Sequence, residues 1–179
     1  MNRKLTTIRI AYDAVLAAMC AVLGSIASLD LGTFKFTFEN FPVLVGALLF
    51  GPVDGMLIGA VGIFLSQMIR YGVELSTPLW VFPYILSGLF TGYCAQRLRF
   101  SISQVQMIII IVINGLIVTL ANTIGLFIYN KYILQVPLAA TIAAIPKRVL
   151  ISVIKSVVFA FVLPPVVSSL RRIARQLNH

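Results

Sequence analysis

Charge is scarce in this 179-residue chain: 11% of positions are Asp, Glu, Lys or Arg, while 60% are hydrophobic and the mean hydropathy is +1.02. A water-soluble globular enzyme of ordinary composition is thereby excluded. Histidine occurs once, as His179, so none stands within the apolar stretches for acid–base chemistry or metal ligation. Acidic residues number only five, and they are scattered over loops and ends. No GxSxG, HExxH or Walker A pattern is present, so hydrolase, zinc-protease and nucleotide-hydrolysing chemistry lack their motifs. Any ATP hydrolysis tied to this chain must come from another polypeptide, and no metal or cofactor is expected. Cys20 and Cys94 both fall in apolar runs without CxxC spacing, which reads as small buried hydrophobes rather than a disulfide or zinc site.

What the chain does have is long apolar runs. At about twenty residues per bilayer crossing, it accommodates about six. The expectation is an all-α integral membrane protein, one domain over 1–179, with six transmembrane helices near 8–29, 41–51, 52–70, 78–96, 105–129 and 149–170. The first run lacks a small-residue cleavage site before a polar stretch and reads as a helix that stays. The second is short, roughly 15 Å of helix. Pro164 and Pro165 are expected to bend or end the last helix early. Between the first two helices, SLDLGTFKFTFENFP alternates Phe34, Phe36 and Phe38 with Lys35, Thr37 and Glu39, the pattern of a short strand or hairpin. Its backbone groups would be unsatisfied in hydrocarbon, so it must cap the bundle or line a cavity. Gly51, Gly55 and Gly59, and again Gly88 and Gly92, stand at four-residue spacing and predict close helix packing.

The formal charge of +9 says less than where the charges sit. Arg3, Lys4, Arg9, Arg97, Arg99, Arg171, Arg172 and Arg175 fall in one set of connecting segments, and Lys35, Arg70, Lys131, Lys147 and Arg148 in the other. The bias places both termini in the cytoplasm of a multi-pass plasma-membrane protein. Its surroundings are then membrane lipid, and no nucleic acid partner is expected.

Polar groups inside apolar spans are costly unless partnered or used. Lys155 follows Lys147 and Arg148 by about two helical turns, and the three could form a basic strip that binds an anion. Interface anchoring and snorkelling explain the same residues. Asn114 and Asn122, eight residues apart, suit either the polar edges of a solute or helix-to-helix hydrogen bonds. Tyr71, Trp80, Tyr84, Phe34, Phe36 and Tyr129 gather at the outer face, where rings stack on flat ligands or form an interfacial belt. Taken together they predict an outward-facing pocket built from Phe34, Lys35, Phe36, Arg70, Tyr71, Trp80, Tyr84, Asn114, Asn122, Lys147, Arg148 and Lys155.

The small-residue first helix around AVLAA, the loop SLDLGTFKFTFENFPVL, the run LLFGPVDGMLIGAVGIFLSQM and the stretch STPLWVFPYILSGLFTGY resemble a substrate-binding S component of an energy-coupling factor (ECF) vitamin transporter, most of all the folate family. The likeness covers about residues 10–100, and the rest by span count only. It implies a six-helix protein that is not an enzyme and that captures a water-soluble vitamin at its outer face. It also implies a transmembrane coupling subunit and two ATPase subunits as partners, with Ala14 and Ala18 matching the alanine motif that docks on the coupling subunit. Folate, with a planar ring and two carboxylates, suits aromatics beside cations. Pantothenate, cobalamin or another vitamin is the alternative substrate, and a stand-alone secondary transporter the alternative role.

Overall fold

A computed structural model describes residues 3–26, 29–30, 35–135, 137–143 and 145–176. Helix α1 spans Arg3–Ser25, α2 Asn40–Phe50, α3 Pro52–Tyr71, α4 Thr77–Arg97 and α5 Gln104–Tyr129. A π-helical turn at Asn130–Leu134 and the short α6, Leu138–Ala143, then lead into α7, Ile145–Gln176. Between α1 and α2, β1 (Leu29–Asp30) pairs antiparallel with β2 (Lys35–Phe36), Leu29 opposite Phe36 and Asp30 opposite Lys35. Residues 31–34, Phe34 among them, lie outside the described residues.

Among the described residues, four stretches are long and apolar enough to cross a membrane: Thr7–Ser25, Pro52–Tyr71, Gln104–Leu134 and Thr141–Leu170. The expected second span is an 11-residue helix whose residues Pro42 to Leu48 are all buried. A helix apolar on every side is stable only when wrapped by others, and α2 packs against α1, α3, α4 and α7. The expected fourth span, α4, has 21 residues but carries Pro83, Ser87, Thr91 and Gln96 and is not among the four.

The turn from α2 to α3 rests on Gly51, whose φ of +110° favours glycine, and Pro52 begins the next helix with a fixed φ and no N–H to leave unpaired. Helices α3 and α4 approach closely: a Cβ on Gly59 would sit 2.7 Å from the carbonyl oxygen of Tyr84, and one on Gly88 would strike the backbone of Gly55. Only glycine lets two backbones meet this way. Helix α5 opens with a capping box, in which Gln106 N–H donates to Ser103 Oγ and Ser103 N–H donates to Gln106 Oε1.

The last helix corrects the expectation of an early end. α7 runs through Pro164 and Pro165 to Gln176, because Leu163 and Val167 are wholly buried on either side and packing outweighs the missing backbone bonds. Ser168 Oγ donates to the Pro165 carbonyl at 2.9 Å within that stretch. The core itself gathers Cys20, Val43, Leu44, Leu48, Ile58, Ile63, Ile111, Leu163 and Val167 from five helices.

Candidate functional site

A cavity of about 810 Å³ opens at one end of the bundle, between the C-terminal part of α3, the N-terminal part of α4, the middle and C-terminal part of α5 and the N-terminal half of α7. At the other end of α3, Arg9 of α1 makes a two-point ion pair with Asp54, Nε donating to Oδ1 at 2.7 Å and Nη2 to Oδ2, while Nη2 also donates to the Phe50 carbonyl. α3 is 20 residues long, so about 30 Å separates the two ends.

A buried acidic group of the cavity wall is Glu39, from the segment that precedes α2. Its buried carboxylate accepts from Thr37 Oγ1 at 3.0 Å, from Ser66 Oγ of α3 at 3.4 Å and from the Tyr84 hydroxyl of α4. Lys155 Nζ of α7 donates to Thr37 Oγ1 at 3.4 Å. A charge taken out of water costs stability unless hydrogen bonds replace the lost hydration. Here the replacement comes from three elements at once, so the carboxylate ties the pre-α2 segment to α3 and α4.

The walls supply the rest. Arg148 Nη1 of α7 donates to the Asn122 carbonyl of α5 at 3.1 Å, and Ser152 Oγ donates to the Gly115 carbonyl at 3.0 Å, joining the two helices beside the cavity. Asn114, only 1% exposed, lines the cavity, and its Oδ1 has no hydrogen-bond partner among the described residues. At the mouth Trp80 meets Tyr129 edge to face with ring centroids 5.7 Å apart, and the Arg70 guanidinium lies 5.4 Å from the Tyr71 ring centroid. Glu74 stands there too, accepting from Ser76 Oγ at 3.0 Å. Four cationic residues, Arg70, Lys147, Arg148 and Lys155, thus face one space with two acidic ones, Glu39 and Glu74.

The cavity brings together Arg70, Tyr71, Trp80, Tyr84, Asn114, Asn122, Lys147, Arg148 and Lys155. Phe34 lies outside the described residues, and Lys35 and Phe36 form β2. Sequence reasoning passed over Glu39, although a carboxylate two residues before the apolar run FPVLV is the kind of membrane-edge charge that calls for a partner. It also passed over Thr37, Asn40 and Glu74, which lie in segments that only tertiary folding turns inward. Ala14 and Ala18 are exposed on α1, while Leu16, Ala17, Cys20 and Ala21 on its other side are buried. Among the described residues no group of three or more His, Cys, Asp or Glu side chains is placed to hold a metal.

A polar cavity sunk into an apolar helical bundle is the plan of a solute-binding membrane protein. The sequence profile of the ECF-type riboflavin transporter S component matches residues 4–172. The chain belongs to that family. As an S component it is a membrane protein and part of a vitamin-capture transporter rather than an enzyme. Two relatives from Clostridium perfringens, each called a UPF0397 protein, align with it over 169 residues, 89% of this chain and 90% of theirs: the one from strain SM101 is 28% identical and the one from strain ATCC 13124 is 29% identical. The likeness therefore extends over most of the chain rather than resting on one motif.

Proposed function

We propose that this S component captures an anionic, ring-bearing, water-soluble vitamin in the cavity at the outer face, with folate the first candidate, and passes it inward with a separate coupling subunit and two ATPase subunits. The observation that carries the reading is the excess of cationic over acidic residues around a cavity rimmed by aromatic rings. An anion is drawn to such a site, and the rings offer it stacking surface. Riboflavin is the second reading, favoured by the family's description and by neutral lining groups such as Asn40, Gln67, Asn122 and Thr119 that suit a polyol.

In this reading one domain spans the chain, α2 and α4 complete a six-helix membrane bundle, and both termini lie in the cytoplasm. The β1–β2 segment, with Phe34, Lys35 and Phe36, then covers the cavity mouth. Ala14 and Ala18 form a smooth patch on which the coupling subunit docks, since small side chains permit reversible helix contact. Ligand binding shifts the protein toward the shape that docks best.

The test is titration of the purified chain with folate, riboflavin, pantothenate and cobalamin, read by Trp80 fluorescence and by calorimetry. Saturable 1:1 binding of folate supports the reading in full, and binding of riboflavin alone moves the substrate while leaving the capture role. Solute flux through liposomes containing only this chain would overturn that role in favour of a stand-alone transporter.

A further inference from the structure

We propose that the end of the bundle opposite the cavity binds the phosphate of an anionic phospholipid headgroup, through the arginines of the α4–α5 turn and of the last turns of α7. From Leu75 to His179 the sequence contains no Asp or Glu but nine Lys or Arg. At the end away from the cavity these cations are all arginine: Arg97 closes α4, Arg99 lies in the turn, and Arg171, Arg172 and Arg175 follow Leu170 on α7. Phe100 and Ile102 beside the turn, and Val166 and Leu170 of α7, pack against the same apolar core, so both groups stand at the same end of the bundle. Arginine presents a planar fork of N–H donors that matches two phosphate oxygens at once, which lysine does not.

The turn holds its cations outward. Arg99 and Phe100 both take left-handed backbone, with φ of +50° and +57°, a conformation that costs a non-glycine residue free energy and persists only where its surroundings fix it. Here the Phe100 N–H donates to the Ala95 carbonyl at 2.8 Å and the Arg99 N–H to the Gln96 carbonyl at 3.0 Å, while Phe100 packs inward and Arg99 is exposed. Arg97 is exposed as well, its guanidinium 5.1 Å from the Tyr93 ring centroid and its Nε donating to the Tyr93 hydroxyl at 2.8 Å. Tyr93 is 51% exposed, as suits an aromatic ring at the headgroup boundary. Among the described residues neither Arg97 nor Arg99 pairs with a carboxylate, and Asp54 at this end is taken by Arg9. Uncompensated arginines beside lipid-facing side chains such as Val105 and Ile109 of α5 suit a ligand that is anionic at its head and apolar below it, which is a phospholipid rather than an acidic protein. In the proposed docking mode the coupling subunit meets α1, which packs on α2 and α3, and the lipid occupies the ends of α4 and α7.

The experiment uses the full chain in detergent and reads, by native mass spectrometry, the retention of phosphatidylglycerol against phosphatidylcholine of the same acyl chains. Wild type is expected to retain the anionic lipid at least about tenfold better. Arg97→Gln combined with Arg99→Gln should cut that preference by about fivefold per charge, and Arg97→Lys combined with Arg99→Lys by less. Lys131→Gln, at the other end of the bundle, should leave it unchanged, and monodisperse elution of each variant checks its fold. Equal retention of the two lipids by wild type would overturn the proposal, and this arm needs no variant to fold. An equal loss of preference in Lys131→Gln would overturn it in favour of net charge alone. Displacement of the anionic lipid by inorganic phosphate would overturn the lipid assignment and make the ligand a soluble phosphate.

Discussion

Tyr84 of α4 donates its phenolic hydrogen bond to Glu39, 45 positions earlier in the chain, and this contact joins the pre-α2 segment to the α3–α4 pair beneath the cavity. The same carboxylate accepts from Ser66 of α3. Removal of Glu39 therefore strands hydroxyls on three elements at once. Glu39→Ala is expected to lower stability by about 1–3 kcal/mol, and Glu39→Gln, which keeps an acceptor, by less. Thermal unfolding in detergent followed by size-exclusion chromatography reads the order, and indistinguishable melting of Glu39→Ala and wild type would rule out the tethering role.

The cationic wall should control affinity for an anionic vitamin. Lys155→Met and Arg148→Met are each expected to weaken folate binding about tenfold to a hundredfold, since each charge acts where water is partly excluded. Lys131→Met changes an exposed residue outside the cavity and should leave affinity within about twofold. Calorimetry at two salt concentrations separates the cases, and equal effects of Lys131 and Lys155 would reduce the wall to general surface charge.

Close packing of α3 on α4 makes Gly88 intolerant of side chains. A Cβ there meets the backbone of Gly55 and comes to 2.7 Å from the amide nitrogen of Met56, and backbone cannot swing aside as a side chain can. Gly88→Leu should cost at least the roughly 1–3 kcal/mol typical of overpacking and reduce the yield of monodisperse protein. Wild-type yield and melting temperature for this variant would contradict the packing described.

At the far end, Arg9 is half exposed and Asp54 nearly buried, with side-chain exposures of 47% and 7%. Arg9→Met leaves the Asp54 carboxylate without its cation and is expected to destabilise by about 1–2 kcal/mol, a figure already reduced for solvent screening of the arginine. Asp54→Asn introduced into Arg9→Met should recover part of the loss. A double-mutant cycle on melting measures the coupling, and a coupling near zero would show the pair to be incidental.

The proposed docking through α1 is expected to separate binding from transport. Ala14→Trp combined with Ala18→Trp should abolish uptake in cells that carry the coupling module and leave vitamin affinity of the purified chain unchanged. Retained uptake would place the docking surface elsewhere.

How far the sequence speaks depends on the range of the interaction concerned. The glycine spacing at Gly55, Gly59 and Gly88 announced close helix contact, because small residues at helical periodicity have few other uses in a membrane. The basic strip Lys147, Arg148 and Lys155 was legible for a related reason, as charge in an apolar run stands out against its neighbours. Glu39 was not legible as a hub, because its partners Ser66 and Tyr84 are 27 and 45 positions away and no local rule links them. The run of α7 through Pro164 and Pro165 was hidden as well, since local propensity argues for a break and burial of Leu163 and Val167 argues more strongly against one.

By itself the sequence determined that this is an apolar helical chain for a membrane, and which charges gather at one set of turns. Those properties follow from hydropathy, capping and glycine spacing, all of which act over a few positions. Only the tertiary structure decided that the short α2 is buried among other helices and that Glu39 lines the cavity. It likewise decided that Asn114 lines the cavity and carries a buried oxygen that no described residue satisfies. Each of these depends on which distant helices come together, and that is set by packing over the whole bundle.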